Sequence, residues 1–470
     1  MVKAVDTQTR AGWTRAPSGD GALEDDALQL AEEVVERAIG IGATEAEALV
    51  QVEDSALTRF ANSEIHQNVA ESNRSVNLRF VVGKRIAVLS TARTDEEGLR
   101  TLVRRASGVA RSCEEYDEWA GLPTPDDSPR RPAVPAWSPA TAEATPEFRA
   151  DAVRAVIAAA DAAGVAAYGS FSTGVEAVAI ANSRGIRAAE RRSSAHLLTV
   201  HMSPDGGNGY AEDLSMDAST IDAAGLGREA ATKARASDNA IGLPPGDYPV
   251  VLEEYAVVDI TDMLGYLGFS ALAVQEGRSF VEPGKRIASD LVTVIDDGAD
   301  PAGLPMAFDY EGVAKQRVTM LEAGICRDVV YDAQTAARDG RRSTGHGLPA
   351  PNPYGPFPLN TVMSPGTSSR EELVGGLERG LLVTRFHYTN PVHPKLAIIT
   401  GMTRDGTFLV EGGELVGPVR NLRYTQSYLD ALAGVSAVGS SRKTVRGFLG
   451  GAVVPAVRID AWTFTGATEH

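Results

Sequence analysis

The chain has 470 residues, 43% hydrophobic and 23% charged, the composition of a globular protein. Lys and Arg number 45 against 62 Asp and Glu, a net charge of −17, which argues against a nucleic-acid or anionic-membrane partner held by bulk electrostatics. One ordinary core does not suffice at this length, so two or three domains are expected. No stretch is apolar enough for a signal peptide or a membrane span.

In chain order, residues 1–21 are small, polar and irregular and read as a loose tail. DALQLAEEVVERAIGIGA (26–43) has helical apolar spacing at Leu28, Leu30, Val34, Val35 and Ile39. Strand-like runs follow in AEALVQV, LTRFANSEIHQNVA, RSVNLRFVV and RIAVLST. The next helix, 94–112, has Thr94 as its expected N-cap. Seven prolines between Pro123 and Pro146 rule out helix or central strand over 122–147, which reads as a linker or surface crossing. The pattern then restarts: a helix over 147–164, strands in AAYGSFST, VEAVAIANSRGIRAAE and SAHLLTVHM, and a helix over 219–237. Ala-Asn-Ser recurs at 61–63 and 181–183, so residues 22–240 read as a domain with a duplicated helix–antiparallel-sheet–helix unit.

From 241 to 470 the texture changes. DYPVVLEE reads as a buried strand that feeds a helix across 253–277. Beyond it, LVTVIDD, ICRDVVYD, GLLVTRFHY, LAIITGMT, GTFLVEGGEL and AVRIDAWTF form a mostly antiparallel β domain, with expected hairpin turns at Arg404-Asp405-Gly406 and Glu411-Gly412-Gly413. The fold class is therefore α+β.

Neither a GxxxxGK[ST] phosphate loop nor a GxSxG elbow is present. Cys113 and Cys326 belong to no CxxC pattern and read as buried structural thiols. Of the seven histidines, His66, His196 and His201 fall in strands; the five-residue offset puts His196 and His201 on opposite faces, in a sheet expected to be partly exposed. His346 lies in a Gly-rich loop with Ser343 and Thr344, where backbone approaches a ligand closely, or where it is simply a surface histidine. His387 and His393 flank a turn-forming Asn390-Pro391. They lack a local third ligand, and a metal site needs three or four. The last histidine, His470, ends the chain.

TRFANSEIHQNV, GFSALAVQEGRSF, FDYEGVAKQRVTMLEAGICRDVVYD, STGHG and GLLVTRFHYTN with TGMTRDGTFLVEGGELVGPVRNLRYTQS resemble, in the same order, the TldD/PmbA family. The resemblance implies two-domain cytoplasmic proteins in which a TldD-type zinc metallopeptidase pairs with a TldE/PmbA-type subunit. Catalytic members carry HExxxH on the helix after the first strand of the C-terminal domain and a cysteine near the C-terminus, with the Glu as general base on metal-bound water. Here the matching stretch is TDMLGY: Thr261 and Tyr266 stand for the histidines and Asp262 for the Glu. SSRKTVRGFLGGAVVPAVRIDAWTF, near the end, has no cysteine. The resemblance thus implies a TldE/PmbA-like subunit with no metal of its own and zinc in a TldD-like partner. The pair would form a channel for unfolded peptides or peptide precursors, lined here by His346, Arg385, His387 and His393. A stand-alone hydrolase or tailoring enzyme using His346 or His387 as base remains an alternative, as does a peptide-binding homodimer.

Overall fold

The computed structural model describes residues 22–127 and 134–467. The expected loose tail, His470 and residues 128–133 of the proline-rich stretch lie outside them.

The N-terminal half is one six-stranded antiparallel sheet with helices on one face. Its elements are α1 (Ala22–Gly40), β1 (Glu45–Ala61), β2 (Glu64–Val82), β3 (Arg85–Thr91), α2 (Glu96–Ser112), the short α3 (Pro139–Ala142), α4 (Pro146–Ala163), β4 (Ala166–Asn182), β5 (Arg187–Met202), β6 (Asn208–Ser215) and α5 (Ala223–Ala236). Strand order is β3-β2-β1-β4-β5-β6, so two three-stranded meanders meet back to back at β1 and β4. The repeated Ala-Asn-Ser explains part of that seam. Ser63 at the β1–β2 turn exchanges hydrogen bonds with the Ala167 backbone, its Oγ accepting from Ala167 N at 3.1 Å. Ser183, after β4, does the same with Ala46, at 3.0 Å. Asn62 and Ser63 take the left-handed conformation that a two-residue hairpin turn demands.

Strand alternation divides the sheet. Ala46, Ala48, Val50, Leu78, Phe80 and Ala179 pack under α1 and α2, and Phe171, Ala195, Leu197 and Ala211 under α4 and α5. The opposite face, with Leu49, Val178 and Ile180, meets Phe308 and Val313 of the C-terminal half. Arg79 of β2 ties the halves together between Glu47 at 3.3 Å and Glu311 at 3.6 Å.

Several local expectations change. α2 is capped by Asp95, whose carboxylate accepts from Gly98 N, and not by Thr94. Of the two readings of the proline-rich stretch, its described residues favour the surface crossing: Leu122 is buried, Ser193 N donates to Ala136 O, and Pro139 and Pro146 each occupy a helix's first turn, where a missing N–H costs nothing. His196 and His201 do point to opposite faces, but both are buried, because helices cover one face and the C-terminal half the other. Cys326 is buried, whereas Cys113 caps α2 and is half-exposed.

The C-terminal half comprises β7 (Gly246–Leu252), α6 (Glu254–Leu267), α7 (Ala271–Gln275), β8 (Val294–Asp296), β9 (Val318–Glu322), β10 (Ile325–Cys326), α8 (Ala333–Arg338), β11 (Thr361–Met363), α9 (Arg370–Gly375), β12 (Arg379–His393), β13 (Ile398–Glu411), β14 (Glu414–Pro418), β15 (Leu422–Ser427), α10 (Tyr428–Ala433), β16 (Val435–Val438), β17 (Lys443–Arg446), β18 (Gly451–Val454) and β19 (Val457–Ala467). Strands β12, β7, β19, β15 and β13 close into a ring, since β12 also pairs β13. A second sheet runs β10-β9-β8-β11-β18-β17. The single helix expected over 253–277 breaks at Gly268, whose missing side chain makes room for the Phe280 ring. Glu411-Gly412-Gly413 is the β13–β14 turn. Arg404-Asp405-Gly406 instead lies inside β13, at an irregularity opposite Val383 and Arg385. Asn390-Pro391 likewise lies inside β12, paired with Thr400 and Ile399; the reversal comes later, at 394–396.

Candidate functional site

Helix α6 is the centre of the C-terminal half. Its sequence, EYAVVDITDMLGYL, buries nearly all of its surface, with Ala256, Val257, Ile260 and Leu264 packed against Leu381, Val383, Phe386, Tyr424 and Trp462 of the strand ring. Glu253, just before it, is buried between Lys233 at 2.6 Å and Arg370. A helix so enclosed can keep a polar side chain only where a specific partner meets it.

Two carboxylates meet that condition one turn apart. Asp259 accepts from Thr389 Oγ1 and from Tyr428 Oη, both at 2.7 Å, and Tyr428 is in turn 2.8 Å from Tyr424 Oη. Burial pushes Asp259 up to about 6 against those donors. Asp262 is 3% exposed and accepts from the backbone N–H of Leu449, at 3.2 Å, with a second backbone bond from Phe448. Burial, with Asp259 nearby, pushes it up to about 7. No cation among the described residues forms an ion pair with either carboxylate. Thr261 Oγ1 donates to Val258 O, one turn back. Tyr266 is half-buried and stacks edge-on with Phe357 at 5.7 Å and Phe448 at 5.9 Å.

The other expected site residues do not gather here. His346 is 1% exposed: its Nε2 lies 2.7 Å from Asp296 Oδ1, which also accepts from Lys315 Nζ at 2.8 Å, while Nδ1 faces Thr344 Oγ1 at 2.9 Å. The Lys315 ammonium, with the His346 ring bonded beside it, holds Asp296 well below the usual carboxylate range, and burial pushes Lys315 and His346 down. As a cleft residue His346 must therefore be corrected; its ring is sealed into the core because Asp296 needs a donor there. Arg385 is committed to Asp405, with Nε at 2.7 Å, and lies over the Tyr210 ring at 4.4 Å. His387 is half-buried on β12. His393 is exposed, accepts from Leu396 N through Nδ1, and lines an open groove of about 910 Å³ with Lys285, Arg286 and Lys395. No hydrogen bond joins any two of these four.

A zinc site would need convergent ligands. Among the described residues no three His, Cys, Asp or Glu side chains are placed to hold a metal ion. At α6 the Thr261 hydroxyl is spent on its own helix, Asp262 is covered, and Tyr266 is packed against rings, so these side chains do not fit one. Sequence reading missed Asp259 because its role depends on Thr389 and Tyr428, which lie 130 and 169 residues further along the chain.

Comparison with known proteins fits this architecture. Residues 46–110 match the PmbA/TldA metallopeptidase domain 1, 138–238 the central domain and 245–466 the C-terminal domain. The chain belongs to the PmbA/TldD family. It is 29% identical over 252 residues to a metalloprotease of Methanothermobacter thermautotrophicus, covering 52% of this chain and 53% of that one. To a metalloprotease TldD homolog of Buchnera aphidicola it is 29% identical over 216 residues, 43% of each chain. The chain thus spans about half the length of these curated relatives. The crystal structure of TldE from Thermococcus kodakarensis has the same fold, with a TM-score of 0.85 at 20% identity over 93% of this chain and 100% of that one. Within the PmbA/TldD fold, α6 follows the first strand of the C-terminal domain, where sequence resemblance puts the family's HExxxH.

Proposed function

We propose that the chain is a TldE/PmbA-like subunit of a two-chain peptidase, without zinc of its own, that helps a TldD-like partner to enclose unfolded peptides or peptide precursors. The observation that carries this reading is the state of α6. Where catalytic members present two imidazoles and a general base, this chain presents Thr261 bonded to Val258 O, Asp262 under a turn, and Tyr266 among aromatic rings. Hydroxyl oxygens of Thr and Tyr are weak zinc ligands at neutral pH. Zinc and the water it activates belong, in this reading, to the partner. The chain's part is to bind and orient an extended substrate, with His387 and His393 as the remaining candidate contacts and Arg385 fixing the β12–β13 hairpin that bears them.

A cytoplasmic location accords with the family resemblance, and no helix among the described residues is long and apolar enough to cross a membrane. A lone hydrolase using His346 as base is disfavoured by its burial. The test is metal analysis with a casein- or peptide-cleavage assay, on the chain alone and after coexpression with a TldD-like partner. The reading expects chelator-sensitive cleavage only in the coexpressed sample. Stoichiometric zinc in the lone chain, or cleavage by it that a chelator blocks, would overturn the proposal.

A further inference from the structure

The two meanders of the N-terminal sheet leave matching stretches of outer edge, and only one of them is covered. β3 pairs with residues 76–82 of β2, so 64–75 bond to β1 on one side and to no strand on the other. In the second meander β6 pairs with 195–202 of β5 and leaves 187–194 in the same position. There the chain covers its own edge. Ser193 N donates to Ala136 O at 2.8 Å, Ser138 N donates to Ser193 Oγ at 2.9 Å, and the Arg191 guanidinium lies 4.4 Å from the centre of the Trp137 ring. Residues 188–194 are accordingly buried or half-buried. On β2 every residue from 64 to 73 except Val69 is exposed, and among the described residues no strand or isolated bridge adds to its outer side. A bulge at His66, where Arg59 faces Gln67 but Phe60 faces Ile65, breaks the register near the turn. The regular bare edge is therefore 67–75, about 30 Å of extended backbone.

We infer that residues 67–75 of β2 form the docking strand for an extended peptide, which adds to the sheet backbone to backbone. The covered twin shows what such an edge takes: an irregular, proline-bearing segment whose carbonyl accepts from a strand N–H. A bare edge offers its outward donors and acceptors to any chain not already paired, so it favours unfolded peptides over folded proteins. Its sequence, QNVAESNRS, has only Glu71 and Arg74 charged, and neither lysine nor proline to block pairing. The edge also leads to the candidate site. Asn77, two residues beyond it, donates to Ala350 O, and Tyr354 of the same loop stacks 6.4 Å from Phe357, which meets Tyr266 of α6. Tyr354 and Phe448, at the two ends of that row of rings, are more than half exposed. A peptide on β2 can continue across them towards the place on α6 where the family's HExxxH belongs.

The inference deepens the proposed function: it rests on the peptide-handling role and names the surface that carries it out. Its test needs neither zinc nor a partner, so its failure and that of the subunit reading are distinguishable. The probes are an unstructured casein peptide, a scrambled version of it, and the same peptide fully N-methylated, which removes its backbone donors. Binding to the whole chain is read by fluorescence anisotropy, and amide hydrogen exchange locates it. Exchange at residues 67–75 should slow about tenfold or more at saturating peptide. The scrambled peptide should bind as tightly, and the N-methylated one about tenfold or more weakly. Absence of binding, or binding that leaves 67–75 unprotected, would overturn the inference. So would equal binding of the N-methylated peptide, or loss of binding on scrambling.

Discussion

The cluster around Asp296 and the pair of carboxylates on α6 lie in the same half of the molecule and are both largely enclosed, yet they behave in opposite ways. Asp296 has no exposed side-chain surface, Asp262 is 3% exposed and Asp259 is half-buried, but Lys315 and His346 flank Asp296 and Asn360 N donates to its second oxygen at 2.7 Å. It stays ionised. Asp259 and Asp262 receive only neutral donors and are pushed up to about 6 and about 7. Burial alone does not set the charge of an acid; the sign of its nearest neighbours decides whether desolvation wins. The first arrangement makes a rigid post, and the second makes a group that changes state near neutrality.

The strongest way to break the contrast is to remove the cation. Lys315→Met should leave Asp296 buried with His346 alone and cost about 3–5 kcal/mol, measured by denaturant unfolding at pH 7. A stability loss below ~1 kcal/mol would mean that the ion pair is not what holds Asp296.

Removing the charge on the other side should have the opposite sign. Because Asp262 has a raised folded-state value, its contribution is full below the unfolded pKa and is lost as pH rises through about 7. Asp262→Asn should therefore flatten the fall in stability between pH 5 and pH 8 by up to about 3 kcal/mol. Unchanged pH dependence in the variant would place the titrating group elsewhere.

His201 sharpens the comparison from the side of a base. Both its ring nitrogens are buried without a partner, and burial pushes it down to about 4. Its contribution is present above the unfolded value near ~6.5 and is lost as pH falls through about 4. His201→Met should remove about 1–3 kcal/mol of the acid destabilisation between those values, readable in thermal melts at pH 4.5 and 7. The smallest effect should come from Thr389→Val, which deletes one neutral donor to Asp259 and should cost about 1 kcal/mol while moving that acid's titration upward, followed by carboxyl NMR.

How far these features were legible in the sequence differs by region. The N-terminal half could be read because each strand alternates against helices, and because the Ala-Asn-Ser turn recurs where both meanders need the same seam contact. The resemblance also pointed to the helix that carries Thr261, Asp262 and Tyr266. The histidines misled. His346 looked accessible in a glycine-rich loop, but Gly345 is there so that the chain can pass the Ala314 and Lys315 backbone closely, carrying the ring inward to Asp296. Asn390-Pro391 looked like a turn, but pairing with Thr400 and Ile399 keeps it in a strand.

By itself the sequence determined periodicity, the duplicated order of elements, the turn residues and the absence of histidine from α6, since these depend on neighbours close along the chain. Only the tertiary structure decided which ionisable groups are charged. Asp296 meets Lys315 across 19 residues and His346 across 50, and Asp262 meets Leu449 across 187. Desolvation and pairing act through space, so two aspartates that look alike in the sequence become, after folding, an anion and an acid.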